Sequence, residues 1–290
     1  MKIAVLVSGG LGFSVLKQIN AGYQVVCVLT DSNSFAIIDY CKNNEIPFFK
    51  GNPRNGKGFD FIKSFHIDVL ASINYLFLIE DDIINHPKEY AFNIHGSLLP
   101  KYRGRTPHVW AIINNEDKTG ITAHLIEKGC DTGPIISQIE IPIEENDTGA
   151  TVLDKYAEVY YPLVERVLLT TKKKDLTLIP QDNLKATYFG KRTPNDGKIK
   201  WDWSKERIYN WVRAQANPYP GAFSFYEGEK VIIDRISFTD TGFHYKDDNG
   251  LIIANQPKIL IKTSNGVVAL ESIRTEKKLT FEVGKKLKEC

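Results

Sequence analysis

The chain has no apolar run approaching the roughly 20 residues that a bilayer-crossing helix needs, so no membrane partner is expected. It also lacks an excess of charge: charged residues make up 25% of its 290 positions, yet the formal net charge is only +2. No field of one sign then covers the surface, and composition does not announce a nucleic-acid partner. The four cysteines, Cys27, Cys41, Cys130 and Cys290, have neither C-x-x-C spacing nor a histidine-rich companion tract. That argues against a zinc site or a disulfide framework, and leaves reduced thiols, no metal and a cytoplasmic setting as the expectation. Internal repeats, low-complexity tracts and a signal-peptide pattern are absent too. The opening MKIAVLVSGG carries one lysine and a short apolar run ending in glycines, and reads as a first strand.

What is present is a globular composition, 42% hydrophobic, long enough for one large domain and a smaller one. Apolar runs at 2–7, 23–29, 48–49, 69–73 and 91–95 alternate with helical spacing at 13–19, 35–43 and 61–65. Strands separated by helices predict right-handed βαβ units: an α/β, Rossmann-like, mostly parallel sheet flanked by helices. Residues 119–127 and 134–143 read as extended segments. A long helix follows over 151–171, with Tyr156, Tyr160, Leu163 and Val167 near one face and Lys172, Lys173 and Lys174 closing it. Beyond a turn-rich stretch come a helix over 204–215 and strands at 231–236, 251–254, 258–262 and 267–273. The expected division is 1–180 as the catalytic domain, 181–200 as linker, and 201–290 as a smaller, mainly β domain. Hairpins near Asn249 and Asn265 offer edges for a homodimer.

Gly9-Gly10-Leu11-Gly12 between a strand and a helix is similar to a dinucleotide fingerprint, and Asp31 stands where a ribose-binding acid belongs. The third glycine position is Val15, however, so a tight turn or a contact with a substrate phosphate competes with an NAD-binding dehydrogenase. Phe92-Asn93-Ile94-His95 lies where a strand runs out into a loop, at the usual ligand edge of such a sheet. Asn93 and His95 are two apart and point the same way on a strand. A carboxamide can donate to an oxyanion while an imidazole exchanges a proton, which is what acyl transfer to an amine requires; on spacing alone such a pair is more often structural than catalytic. Cys130 has no activating base nearby in sequence, which weighs against a thiol nucleophile.

FNIHGSLLPKYRG followed by ITAHLIEKGCDTGPI resembles the core of the folate-dependent formyltransferases, which act on methionyl-tRNA, glycinamide ribonucleotide or nucleotide-linked amino sugars. The stretch YFGKRTPNDGKIKWDWSKERIYNWVRAQANPYPGAF resembles the start of the second domain in the tRNA and sugar enzymes. The resemblance implies that Asn93, His95 and Asp131 form the catalytic triad and that N10-formyltetrahydrofolate is the co-substrate. It places the folate on Tyr75, Phe77, Leu78, Leu98, Leu99, Pro100, Gly129, Cys130, Thr132 and Gly133, with Leu76 expected in the core. GRTPHVWAIINNEDKTGITAH is similar to the sugar N-formyltransferases, and the basic insertion typical of the tRNA enzyme is missing. A dTDP- or UDP-linked amino sugar is therefore the favoured acceptor, with methionyl-tRNA the alternative and a non-catalytic folate or nucleotide-sugar binder a further one. Gly9, Gly10, Arg105, Lys191 and Arg192 are candidates for the pyrophosphate, and Trp201 and Tyr219 for stacking on the base.

Overall fold

Lys2–Val7 is buried along almost its whole length and forms β1, a strand covered on both faces. The computed structural model describes residues 1–289 and leaves Cys290 outside the described residues. From β1 the chain turns at Gly9 into α1 (Gly9–Gly22), whose Val15, Leu16 and Ile19 are buried. A Cβ at Gly12 would lie 2.4 Å from Val7 Cγ2, so only glycine lets α1 approach β1 this closely. The alternation continues through β2 (Gln24–Thr30), α2 (Phe35–Asn43), β3 (Phe48–Lys50), α3 (Lys57–Ile62), β4 (Val69–Ile73), α4 (Asp81–Ile84) and β5 (Tyr90–His95). Next come a two-residue strand β6 (Arg103–Gly104), α5 (Pro107–Ile113), β7 (Lys118–Leu125), β8 (Ile135–Pro142) and α6 (Gly149–Lys173). Helix α3 starts four residues earlier than its apolar spacing suggests, because Phe59 packs with Phe61 and Phe65 against the same apolar cluster.

The sheet runs β3-β2-β1-β4-β5-β7-β8. Strand β1 pairs parallel with β2 and β4, and β4 with β5, whereas β7 pairs antiparallel with β5. The mostly parallel expectation therefore holds for the half built from βαβ units, and the remainder makes the sheet mixed. Tyr156, Tyr160, Leu163 and Val167 of α6 are all buried, as their helical spacing predicts. No helix among the described residues is long and apolar enough to cross a membrane.

The chain folds as two compact units, one of 1–104, 120–141 and 155–189, the other of 105–119, 142–154 and 190–290. The second unit carries α7 (Lys205–Ala214), which follows a two-residue strand β9 (Tyr188–Phe189) of the first. Its sheet is antiparallel, in the order β10 (Ala222–Tyr226), β11 (Glu229–Thr239), β14 (Gly266–Thr275), β13 (Ile259–Thr263) and β12 (Ile252–Ala254). Ser204 caps α7 by accepting from the Arg207 N–H.

Within that unit His108 is buried, and its Nε2 pairs with the Tyr219 hydroxyl at 2.8 Å. Burial lowers its pKa from an ordinary 6.5 to about 4. The unfolded chain therefore takes up the proton first. The stability contributed by neutral His108 is complete above pH 6.5 and drains as the pH falls toward 4, on the order of 3 kcal/mol in all. His108→Gln, which keeps a polar partner for Tyr219, should flatten the fall in melting temperature across that window. A calorimetric pH series checks this, and an unchanged slope removes His108 as the cause.

Candidate active site

Strand β5 delivers two of the predicted groups by simple alternation. Asn93 and His95 share a face, and β7 lies alongside with His124 directly opposite Asn93. Asp131 arrives from the turn after β7 with φ 54°, a left-handed conformation that aspartate tolerates better than most residues. Its Oδ2 lies 3.6 Å from His95 Nδ1 and its Oδ1 lies 3.7 Å from His124 Nε2. The carboxylate thus sits between two imidazoles. The three residues foreseen from sequence converge, and a fourth joins them.

The hydrogen bonds assign the proton on each ring. His95 Nε2 lies 2.8 Å from the Tyr102 carbonyl, which can only accept, so Nε2–H donates and the lone pair of Nδ1 faces Asp131. His124 Nδ1 donates to the Leu125 carbonyl at 2.8 Å, which leaves its Nε2 to accept from the Asn93 amide at 3.2 Å. That contact orients the Asn93 carboxamide and fixes which end is nitrogen. His124 is the member of this cluster that sequence reading missed. The one imidazole in the apolar run Ile121–Leu125 was its signal.

Electrostatics follow from burial. His95 is 6% exposed, and burial lowers its pKa more than the neighbouring Asp131 carboxylate and the Tyr102 carbonyl raise it, so the ring rests neutral at pH 7. Burial alone would raise the Asp131 carboxyl, but His95, His124 and the Gly104 N–H, which donates to Oδ2 at 2.9 Å, hold it well below the usual range. The Cys130 thiol also donates to Oδ2, at 3.3 Å, and is exposed. A neutral imidazole with a free nitrogen, a carboxamide donor and a fixed anion can together accept a proton and stabilise a developing oxyanion.

The residues expected to hold folate fall into two groups. Leu99 is buried, its N–H donating to Thr122 Oγ1 and its carbonyl accepting from Gln138, while Leu98 and Pro100 are partly exposed. Tyr75 and Phe77 pack edge to face at 5.5 Å, and the Tyr75 hydroxyl is buried with no hydrogen-bond partner among the described residues. Leu76 was expected in the core, and this is corrected: it is 49% exposed, and Leu78 is 60% exposed. Both stand in the loop after β4, where the chain has left the sheet and no layer covers it. Gly129 and Cys130 are exposed, Thr132 is partly so, and Gly133 is buried. Large exposed apolar side chains beside an orphaned hydroxyl suit a flat heteroaromatic ligand with polar edges.

The nucleotide candidates fare unevenly. Gly9 and Gly10 are exposed at the start of α1, and no Ser8 side-chain cap covers that helix end. Asp31 is buried, and its oxygens accept from Ser34 Oγ and the Asn33 N–H within its own turn. Arg105 and Lys191 are exposed. Trp201 is corrected as a stacking platform: it is 4% exposed and its Nε1 donates to Ser224, because it fills the core under the second sheet. Arg192 is corrected as a pyrophosphate donor. Its guanidinium lies between Trp110 and Trp211, at 4.9 and 4.4 Å, and bonds Gln215 and the Asp196 carbonyl. Tyr219 remains half-buried with its hydroxyl on His108.

An α/β sheet whose edge gathers an amide donor, a neutral imidazole and a carboxylate defines an enzyme of the acyl-transfer class. The chain belongs to the formyl transferase family: the family's formyl transferase model matches residues 1–168 and its C-terminal domain model residues 191–288. It is 35% identical over 290 residues to the bifunctional polymyxin resistance protein ArnA of Wigglesworthia glossinidia brevipalpis. That match takes in 95% of this chain but 43% of the relative, so the chain spans less than half the length of that protein. An N-formyltransferase from Helicobacter canadensis, solved with folinic acid and dTDP-3-aminofucose, shares its fold with a TM-score of 0.73 and 21% identity, over 93% of this chain and 99% of the other. A 4-N formyltransferase from Francisella tularensis superposes with a TM-score of 0.69 and 24% identity, over 80% and 96%.

Proposed function

We propose that this enzyme transfers the formyl group of N10-formyltetrahydrofolate to the amine of a dTDP- or UDP-linked amino sugar. The observation that carries the reading is the convergence of Asn93, His95 and Asp131 on one point at the sheet edge, with His95 Nδ1 unprotonated. In this reading the Asn93 amide donates to the oxyanion that develops on the formyl carbon, and His95 Nδ1 accepts the proton shed by the attacking amine. Asp131 stabilises the imidazolium so formed. Tyr75, Phe77, Leu78 and the turns at 98–100 and 129–133 hold the folate, which brings the activated one-carbon group. Gly9, Gly10, Arg105, Lys191 and Tyr219 are the remaining candidates for the nucleotide. The sugar-acting relatives and the absent basic insertion favour a sugar over methionyl-tRNA. We assign 1–180 to catalysis and 201–290 to a second domain, and place the enzyme in the cytoplasm as a homodimer supplying surface-polysaccharide synthesis.

The test is mass spectrometry of purified protein with N10-formyltetrahydrofolate against a panel of nucleotide-linked amino sugars and methionyl-tRNA. A formylated sugar is expected, and product from the tRNA alone overturns the acceptor. A pH profile tests the base. Because burial depresses the His95 pKa, the neutral ring persists below the ordinary 6.5, and the acid limb of kcat/KM should lie below that value. A limb above 6.5 removes neutral His95 from the base role.

A further inference from the structure

Residues 181–189 read from sequence as part of a linker, yet within the first unit they hold the atoms that hold the site. Gln181 spends its whole amide there: Nε2 donates to the carbonyls of Asp131 and Gly133, at 2.9 and 2.7 Å. Its Oε1 accepts from Arg103 Nε and Nη2, at 3.2 and 2.7 Å. Arg103 is 1% exposed, and it has no carboxylate ion pair among the described residues. Its Nη2 also donates to Asn183 Oδ1, and its Nη1 donates to the Tyr188 hydroxyl. A buried guanidinium held only by neutral acceptors keeps its positive field inside the unit, and that field reaches His95.

The same segment grips the other side of the site. Thr187 Oγ1 accepts from the Tyr102 N–H at 2.8 Å and the Thr187 carbonyl accepts from the Arg103 N–H at 2.9 Å. Phe189 stacks on Tyr102 at 4.9 Å, 14° from parallel. Tyr102 supplies the carbonyl that sets the His95 tautomer, and it does so with φ 60°. Tyr102 and Asp131, the two left-handed residues that touch His95, are thus both fastened to 181–189. Such backbone is costly and persists only where its surroundings over-determine it.

We propose that Gln181, seated on the buried Arg103, is a positioning residue that holds the Asp131 carboxylate against His95. The proposal rests on the reading of Asn93, His95 and Asp131 as the reacting groups. Removing the Gln181 amide frees two carbonyls of the Asp131 turn, and the carboxylate drifts from Nδ1. The charged and titratable groups facing His95 are Asp131, Arg103 and His124. Of these, Asp131 raises its affinity for a proton and the other two lower it, so a retreating Asp131 moves the His95 titration to lower pH.

The experiment compares wild type, Gln181→Met and the control Leu184→Ala, whose side chain is 97% exposed on the same segment. Gln181→Met should lower kcat about 10- to 100-fold. It should also shift the acid limb of the rate profile and the His95 ¹⁵N NMR titration downward, with Leu184→Ala unchanged in each. Gln181→Ala, which admits water beside Arg103, gives the same readouts should the methionine variant fail to fold. A variant with a lower melting temperature but unaltered kcat and His95 titration makes the brace merely structural and overturns the proposal. The NMR titration needs no turnover. A shifted His95 in an enzyme that formylates no amine would therefore sink the formyl-transfer reading and leave the brace standing.

Discussion

His95→Asn should lower formyl turnover by about 10²- to 10⁴-fold while leaving folate affinity close to that of the wild type. Most of the site survives the change. Asp131 keeps the Gly104 N–H and His124, so the turn that carries it stays closed. Asn93 keeps the amide orientation that His124 imposes. The acceptor at Nδ1 is lost together with the Nε2–H donor to the Tyr102 carbonyl, and the attacking amine must then shed its proton to water. Single-turnover kinetics together with folate titration by fluorescence separate the two effects. Unchanged turnover removes His95 from the chemistry, whereas lost folate binding would make its role one of architecture.

Gly104→Ala is expected to be among the most damaging single-methyl changes in the first unit. At φ +104° an alanine is strained whatever the space around it, and here the added Cβ would lie 2.2 Å from the Phe189 carbonyl. Relief requires β6 to part from β9, or Gly104 to rotate its N–H away from Asp131. The cost should be on the order of 3 kcal/mol or more, seen as a fall of several degrees in melting temperature. Turnover should drop further than the folded fraction does, because the Asp131 carboxylate loses a donor. Calorimetry and activity per folded molecule test both halves. A variant that melts and turns over like wild type would mean that β6 and β9 are not held together.

The βαβ half was legible because strands buried on both faces are near-continuous apolar runs, and Lys2–Val7, Val69–Ile73 and Tyr90–His95 are of that kind. Asn93 and His95 were legible for a related reason, since a period of two puts both on one face. Asp131 had no such local cue, and its place came only with the resemblance. His124 was hidden because its partner across the ladder lies 31 residues away, and register is invisible in a single strand read by itself. Trp201 and Arg192 misled for a common reason. An aromatic ring and a guanidinium look the same in sequence whether they await a ligand or complete a core. Leu76 failed in the opposite direction, because apolar character says nothing about whether the fold supplies a cover.

The pairing of Asn93 with His124 carries a consequence for how this chain tolerates change. Between Gly104 and Gly120 the polypeptide departs from the first unit and later re-enters it, so the span of that excursion does not determine which residue of β7 stands opposite Asn93. Extra residues in the largely exposed turn at 114–117 of that excursion should therefore be absorbed without disturbing the reacting groups, whereas one residue added between Asn93 and Gly104, or between His124 and Asp131, would put them out of reach. Diversification among kin, and any grafted tag, belongs in that turn.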